Sequence, residues 1–263
     1  MRLVPFSKPL GIPFIHRPIQ GRERVCARRR KQIMTDNRTY TPLLRWKRGE
    51  QVALSQLSEV AKENITPLLM LGAEQFKDRK ATVKIEAMSA ANAFCADVAN
   101  LWGDREFMLH APDLQAEDGK RHPLLDIGDA ALEAGLLLVP TVRLSDPDDY
   151  QIAAVQVSSE GHGGLALRID LEEMTSADEW ADSVTPANTD LIIDFGDSVG
   201  MAGALGATLG DAFLNLHKGD EWRSVTVAGA SMPDDFSGVP AGLHKIARQE
   251  LAVWRSLRAR RTP

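Results

Sequence analysis

Short apolar runs alternate with longer amphipathic stretches along most of this chain. Apolar runs of strand length predict β-strands at 40–46, 65–71, 106–109, 136–142, 165–171, 191–195 and 224–228. Apolar residues recur with the 3.6-residue period of a helix at 51–63, at 82–102 and again at 243–260. This repetition of strand and helix indicates parallel βαβ units.

Two architectures are built from such units, the (β/α) barrel and the doubly wound sheet. The barrel is favoured because the units are even and no glycine fingerprint follows the first strand. A complete barrel of this type has eight strands, whereas seven strand runs are visible and residues 261–263 follow the last helical run. We therefore predict an α/β, TIM-barrel-like fold of about seven strand–helix units, with the closing strand in question.

Some helix boundaries carry their own signals. The pair Asp146-Pro147 has the residue types of an N-cap and a first helical position. The run 176–179 has the spacing of a capping box. The last helix, 243–260, is predicted to bury Leu243 with the other apolar residues of its stripe.

Charge divides the chain into a basic beginning and an acidic body. Residues 1–33 hold nine Lys or Arg and one acid, which leaves 22 bases against 35 acids in residues 34–263. The basic segment could be a nucleic-acid arm, a targeting peptide, or a disordered extension read from a start codon set too early. We favour the last, because the globular pattern opens at Met34. Residues 34–263 are then a single domain, and their acidic balance argues against nucleic-acid binding.

The sequence argues against a membrane-spanning segment and against a cysteine framework. No apolar run approaches the ~20 residues that a membrane-spanning helix needs. The two cysteines, Cys26 and Cys95, form no metal or disulfide framework. We expect a cytoplasmic protein with no membrane association.

One stretch resembles the opening motif of a known family. Residues 40–50, with Tyr40, Pro42, Leu44, Arg45, Lys47, Gly49 and Glu50 at the matching positions, resemble the phage-type beta protein family. The stretches 65–68, 191–196, 228–233 and 237–240 resemble the same family, so that the likeness covers about residues 38–258. The resemblance implies a barrel-like α/β fold and a phage or prophage connection, but no settled activity. Members of the family usually continue with further strands, so the resemblance also implies a C-terminal truncation.

Polar residues at the predicted strand ends are the candidate functional residues, because (β/α) barrels place their active sites there. We assign ligand binding to Arg45, Lys47, Glu50, Arg143, Arg168 and Ser231. Guanidinium groups at several strand ends suit a phosphate or a carboxylate. The alternative is a set of buried ion pairs, Arg45 or Lys47 with Glu50 and Arg168 with Asp194.

The candidate catalytic residues are Asp170, Asp194 and His110. The two aspartates end neighbouring predicted strands and could act as acid and base. His110 could act as a base oriented by Asp113. We predict no metal site and name no cofactor. The glycine-rich run 196–206 matches neither dinucleotide nor P-loop spacing, and close helix packing is the favoured interpretation.

Three functional hypotheses remain open. The first is a barrel that binds or acts on a small anionic, phosphorylated ligand at the ends of its strands. The second is a non-enzymatic phage or host interaction protein that uses the barrel as a scaffold. The third is a truncated, inactive remnant. The sequence leaves open whether the protein is an enzyme.

Overall fold

A computed structural model of the protein describes residues 40–81, 86–161, 163–177, 184–196, 199, 216, 222–231, 240, 242–245, 247–253 and 255. The predictions for residues 1–33 and for most of the glycine-rich run 196–206 lie outside these residues. The described residues fall into two compact units, 40–167 and 168–255.

The unit 40–167 consists of alternating strands and helices. Its strands are β1 (Leu43–Arg45), β2 (Leu68–Met70), β3 (Glu106–His110), β4 (Leu137–Val142) and the beginning of β5 (Leu165–Ile169). Its helices are α1 (Arg48–Ser55), α2 (Glu59–Glu63), α3 (Ala90–Leu101), α4 (Pro123–Glu133) and α5 (Asp148–Ser159).

The strands of this unit are parallel, and each pairs with the next strand in the chain. Leu69, Leu109 and Leu138 in the central strands have no exposed surface, so the sheet is covered by packed side chains. Burying each such side chain contributes about 1.5–3 kcal/mol. Fully buried parallel strands are typical of α/β folds with helices packed on the sheet.

The unit 168–255 continues the same pattern. It contains the end of β5, helix α6 (Leu171–Thr175), a 3-10 helix (Pro186–Asn188), β6 (Thr189–Asp194) and β7 (Ser224–Ala228). Strands β5, β6 and β7 follow one another in the sheet, and β6 and β7 are parallel over five residue pairs.

The strand order confirms the predicted fold class. Each strand lies beside its neighbour in the chain, as in a TIM barrel, whereas a doubly wound sheet reverses its order at a switch point. The described residues contain seven parallel strands of the eight that a complete barrel has. The fold is therefore α/β and resembles an incomplete TIM barrel.

Several predicted helices have other bounds. The run 51–63 forms two helices, because the hydroxyl of Ser58 accepts a hydrogen bond from the Ala61 N–H and starts α2. The helix predicted at 82–102 begins only at Ala90, where Ser89 is the N-cap. Local capping therefore divided or shortened elements that the apolar period had joined.

The predictions near the end of the chain were less accurate. Leu243 is 98% exposed and is not part of a buried stripe. Helical structure is described at 249–253, where Val253 is buried. Ser176 is the C-cap of α6, and Asp178 and Glu179 of the predicted capping box lie outside the described part of the chain.

Candidate functional site

One row of side chains crosses the carboxyl ends of the strands in the unit 40–167. The register pairs Arg45 with Met70 and Met70 with His110. Because Leu109 pairs with Pro140, the next position places His110 beside Thr141. Adjacent residues of paired strands point to the same face of a sheet. Arg45, His110 and Thr141 therefore share a face.

This face is turned away from helix α3. Trp46 follows Arg45 and extends the ladder, since its N–H donates to the Met70 carbonyl at 2.8 Å. Its ring packs edge-on against Phe94 of α3, with 5.3 Å between the ring centroids. Side chains alternate between the two faces of a strand, so Arg45 points away from the side that α3 covers.

His110 forms a buried pair with Asp146. Its Nε2 lies 2.9 Å from Asp146 Oδ2, and each side chain is 7% exposed. The same oxygen accepts a hydrogen bond from the Arg143 N–H at 2.6 Å. The carboxylate thus orients the imidazole, an arrangement that suits a general acid or base. The partner proposed for His110 from the sequence was Asp113, an exposed residue, and the structure places Asp146 there instead.

Tyr150 holds the ends of β3 and β4 together behind this pair. Its hydroxyl accepts a hydrogen bond from the Ala111 N–H and donates one to the Thr141 carbonyl, both at 2.9 Å. The ring contacts those of His110 and His122, with centroids 6.0 and 5.9 Å away. Complete burial raises the pKa of Tyr150 far above its ordinary value. The phenol therefore stays neutral, and its two hydrogen bonds fix the backbone at Ala111 and Thr141, beside and at the residues of the row.

His122 is a buried helix cap. Its Nδ1 accepts a hydrogen bond from the Leu124 N–H at 3.1 Å at the start of α4. Burial lowers the pKa of His122, and the carboxylate of Asp149, the Leu114 backbone and the carboxylate of Asp126 oppose that shift. A neutral ring is needed for this cap, since a protonated Nδ1 cannot accept a hydrogen bond.

Two buried oxygens at the strand ends have no hydrogen-bond partner among the residues that the structure describes. They are Thr141 Oγ1 and Glu50 Oε2. Burial raises the pKa of Glu50, and the positive charges of Arg45 and Lys47 and the Arg45 backbone oppose that shift. The two cations are exposed and flank this carboxylate. The structure thus brings together three of the predicted ligand-binding residues at the end of β1.

In the unit 168–255, the predicted site residues form hydrogen bonds and ion pairs with other residues of the protein. The Arg168 Nε donates to Asp194 Oδ2 at 2.9 Å, and the two side chains are 14% and 9% exposed. The other oxygen of Asp194 accepts a hydrogen bond from the Gly196 N–H. The alternative prediction of a buried Arg168–Asp194 ion pair is confirmed.

Asp170 and Ser231 also serve the fold. Asp170 caps α6, where its Oδ1 accepts hydrogen bonds from the backbone of Glu172 and Glu173, and the Glu173 carboxylate completes a capping box. The hydroxyl of Ser231 donates to the Glu250 carboxylate and accepts a hydrogen bond from the Gln249 N–H at 2.8 Å. The catalytic role of Asp170 and the ligand role of Ser231 remain predictions, with a structural use now established for each side chain.

Three structural residues of the strand ends were missed from the sequence. Asp146 appeared only as a helix cap, and Tyr150 was not singled out. Asp190 accepts a bidentate hydrogen bond from Arg223 and a further one from the Ser224 hydroxyl at 2.7 Å. The one signal for Asp190 in the sequence was its position directly before a predicted apolar strand.

The described residues contain neither a metal-binding cluster nor a membrane-spanning helix. No group of three or more His, Cys, Asp or Glu side chains there could hold a metal ion. No described helix is both long enough and apolar enough to cross a membrane.

Comparison with known proteins identifies the family. No curated protein matches the chain. The family model described as "Beta protein" matches residues 40–263, which include every strand and helix described above. The match begins at Tyr40, the first residue of the motif on which the resemblance was based. The chain belongs to the Beta protein family.

Proposed function

We propose that the protein binds a small anionic ligand, bearing a phosphate or carboxylate group, at the carboxyl ends of β1 to β4. The observation that carries the proposal is the buried His110–Asp146 pair, with 2.9 Å between Nε2 and Oδ2, on a face that also presents Arg45. Active sites of barrel folds occupy this end of the strands.

Charge supports an anion at this place. Arg45 and Lys47 are exposed and lie beside the carboxylate of Glu50. Arg143 is the first residue after β4, and its backbone N–H donates to the carboxylate that pairs with His110. In this proposal Arg45, Lys47 and Arg143 attract and orient the anion, because guanidinium and ammonium groups donate charge-assisted hydrogen bonds to it.

In this proposal His110 contacts the ligand near the middle of the row formed by Arg45, His110 and Thr141. Asp146 fixes the orientation of its ring, so that His110 can exchange a proton with a bound ligand without reorganising. Arg168 and Asp194, which the sequence also suggested, satisfy each other and are left out of the proposed binding residues. The phage or prophage connection and the cytoplasmic location remain predictions from the sequence and the family resemblance.

The test is a thermal melt of the full chain with inorganic phosphate, pyrophosphate, acetate and citrate, at matched ionic strength with chloride. A ligand at a hundred times its Kd adds about 2.7 kcal/mol to the free energy of unfolding. At this chain length each kcal/mol moves the Tm by roughly 2–4 °C. We expect such a shift from one class of anion and none from chloride.

A pair of double variants locates the site. Arg45→Gln with Lys47→Gln should abolish the shift, whereas Lys245→Gln with Arg255→Gln, two exposed residues of the other unit, should keep it. Both variants change the net charge equally, so non-specific screening would affect them alike. A Tm that no anion moves would contradict the proposal and favour the hypothesis of a scaffold for phage or host proteins.

A further inference from the structure

Thr141 combines complete burial with an unused hydrogen-bonding group. The residue has no exposed surface, and its Oγ1 has no hydrogen-bond partner. Leaving a hydroxyl buried without a partner costs about 1–3 kcal/mol in protein mutational data. Valine has the same shape, is well suited to a buried strand and carries no such cost. A threonine here therefore needs a reason other than packing.

The surroundings of Thr141 show where the hydroxyl could be used. The backbone carbonyl of the residue is held by the Tyr150 hydroxyl at 2.9 Å, so the strand is fixed. On one side, the register places His110 in the same row. On the other side Thr141 pairs with Ala166, whose side chain is a single methyl group. The polar neighbour in this row is thus the imidazole of the proposed site.

We propose that Thr141 is a ligand-contacting residue, whose hydroxyl donates a hydrogen bond to an oxygen of the anion bound beside His110. The inference rests on the proposed function and adds a residue that the sequence did not suggest. A hydroxyl both donates and accepts hydrogen bonds, whereas a fully ionised oxyanion only accepts them, so Thr141 acts as the donor.

The contact also specifies the class of ligand. Cations at the end of β1 and a hydroxyl at the end of β4 lie on strands that are three apart in the sheet, at about 4.8 Å per strand. One small ion cannot touch both, so the ligand carries an oxyanion at one end and a second polar group at the other. The separation between these strands is about 14 Å, so the long side chain of Arg45 or Lys47 must extend across part of it. A compound with two or more phosphate groups, such as pyrophosphate, suits the remaining distance, and a lone halide does not.

In this structure the hydroxyl is covered, so binding needs a neighbouring side chain to move. The complete burial of Thr141 means that this movement accompanies binding.

The experiment is a calorimetric titration of the full chain with pyrophosphate, for the native sequence, Thr141→Val and Thr141→Ser. Thr141→Val should weaken binding by about ten-fold to a hundred-fold, the effect of one lost hydrogen bond to a charged group. Thr141→Ser keeps the hydroxyl and should bind within about two-fold of the native protein. In the absence of pyrophosphate, Thr141→Val should raise the urea midpoint of unfolding, because it removes the unpartnered hydroxyl.

Each result decides the inference. If Thr141→Val binds pyrophosphate as tightly as the native protein, Thr141 is no ligand contact, while the proposed function stands. If Thr141→Val lowers the urea midpoint and leaves binding unchanged, the hydroxyl serves the fold. If the native protein binds no anion, the proposed function and this inference both fail. Should the valine variant not fold, Thr141→Ala against Thr141→Ser gives the same contrast.

Discussion

Arg168 and Asp194, at the ends of β5 and β6, can be compared with His110 and Thr141, at the ends of β3 and β4. Both sets are polar residues at the same end of parallel strands. In the first set the guanidinium of Arg168 and the carboxylate of Asp194 form an ion pair and neutralise each other. In the second set an imidazole–carboxylate pair stands beside a buried hydroxyl that has no partner.

The difference separates residues that maintain the fold from residues that are available to a ligand. A buried ion pair with good geometry satisfies its own charges and needs nothing else. A buried polar atom without a partner carries an unmet cost, which a ligand can offset. Among the described residues, the buried side-chain atoms without a hydrogen-bond partner all lie in the unit 40–167. This agrees with the proposed site, which lies in the same unit.

The largest change in the free energy of unfolding is expected from breaking the Arg168–Asp194 ion pair. Asp194→Ala removes the carboxylate that is paired with the largely buried Arg168 guanidinium, which should lower the free energy of unfolding by about 3–5 kcal/mol. Urea denaturation followed by tryptophan fluorescence measures this change. Asp118→Ala, the same substitution at an exposed residue, is the control and should change the free energy of unfolding by less than about 0.5 kcal/mol.

A double variant sharpens this test. Replacing both partners, Arg168→Met with Asp194→Leu, removes the two charges together and should recover most of the lost stability. If Asp194→Ala unfolds at the native urea concentration, the ion pair does not hold the fold. Arg168 and Asp194 would then return to the list of candidate ligand-binding residues.

The fold was largely predictable because apolar patterning depends on burial, which is repeated in every unit. The strand 224–228 has its predicted bounds, and the run 165–171 ends two residues earlier than predicted. It ends there because the Asp170 side chain caps α6, a local hydrogen bond that apolar periodicity does not reveal. The split of 51–63 at Ser58 has the same cause.

The site was less predictable because its contacts join distant parts of the chain. His110 was recognised as a candidate, but its partner lies 36 residues further on. Asp146 precedes Pro147, and that pair predicts an N-cap; in the structure the N-cap is Pro147 and the carboxylate of Asp146 binds His110. Thr141 looked like one more β-branched residue of a strand. Neither a missing hydrogen bond nor a contact across strands can be seen in the sequence.

A second, smaller effect should follow from removing the hydroxyl that supports the proposed site. Tyr150→Phe leaves the Ala111 N–H and the Thr141 carbonyl without their partner in a fully buried place. We expect a loss of about 1–3 kcal/mol in the free energy of unfolding, measured by urea denaturation. Tyr40 is the other tyrosine of the chain and is 63% exposed. Tyr40→Phe is therefore the matched control, and equal effects of the two substitutions would exclude a supporting role for the Tyr150 hydroxyl.

The smallest effect concerns pH, and it tests whether the polar cluster behind His110 needs a neutral histidine. Burial lowers the pKa of His122 in the folded protein below the value of about 6.5 that an unfolded chain has. The unfolded state therefore takes up a proton first as the pH falls. Stability from this group is complete above about pH 6.5 and is lost as the pH drops from there toward the lower, folded pKa.

His122→Asn isolates that contribution. Asparagine keeps a side-chain oxygen that can accept the Leu124 N–H, but it does not titrate in this range. The native protein should lose more free energy of unfolding between pH 7.5 and pH 5 than His122→Asn does, in urea denaturation at each pH. The exposed His244 provides the control, because His244→Asn should leave the native pH dependence unchanged. If His122→Asn and the native protein lose stability in parallel, the ring of His122 is not held neutral by its burial, and the cluster of His122, Tyr150 and His110 is less isolated from water than its packing indicates.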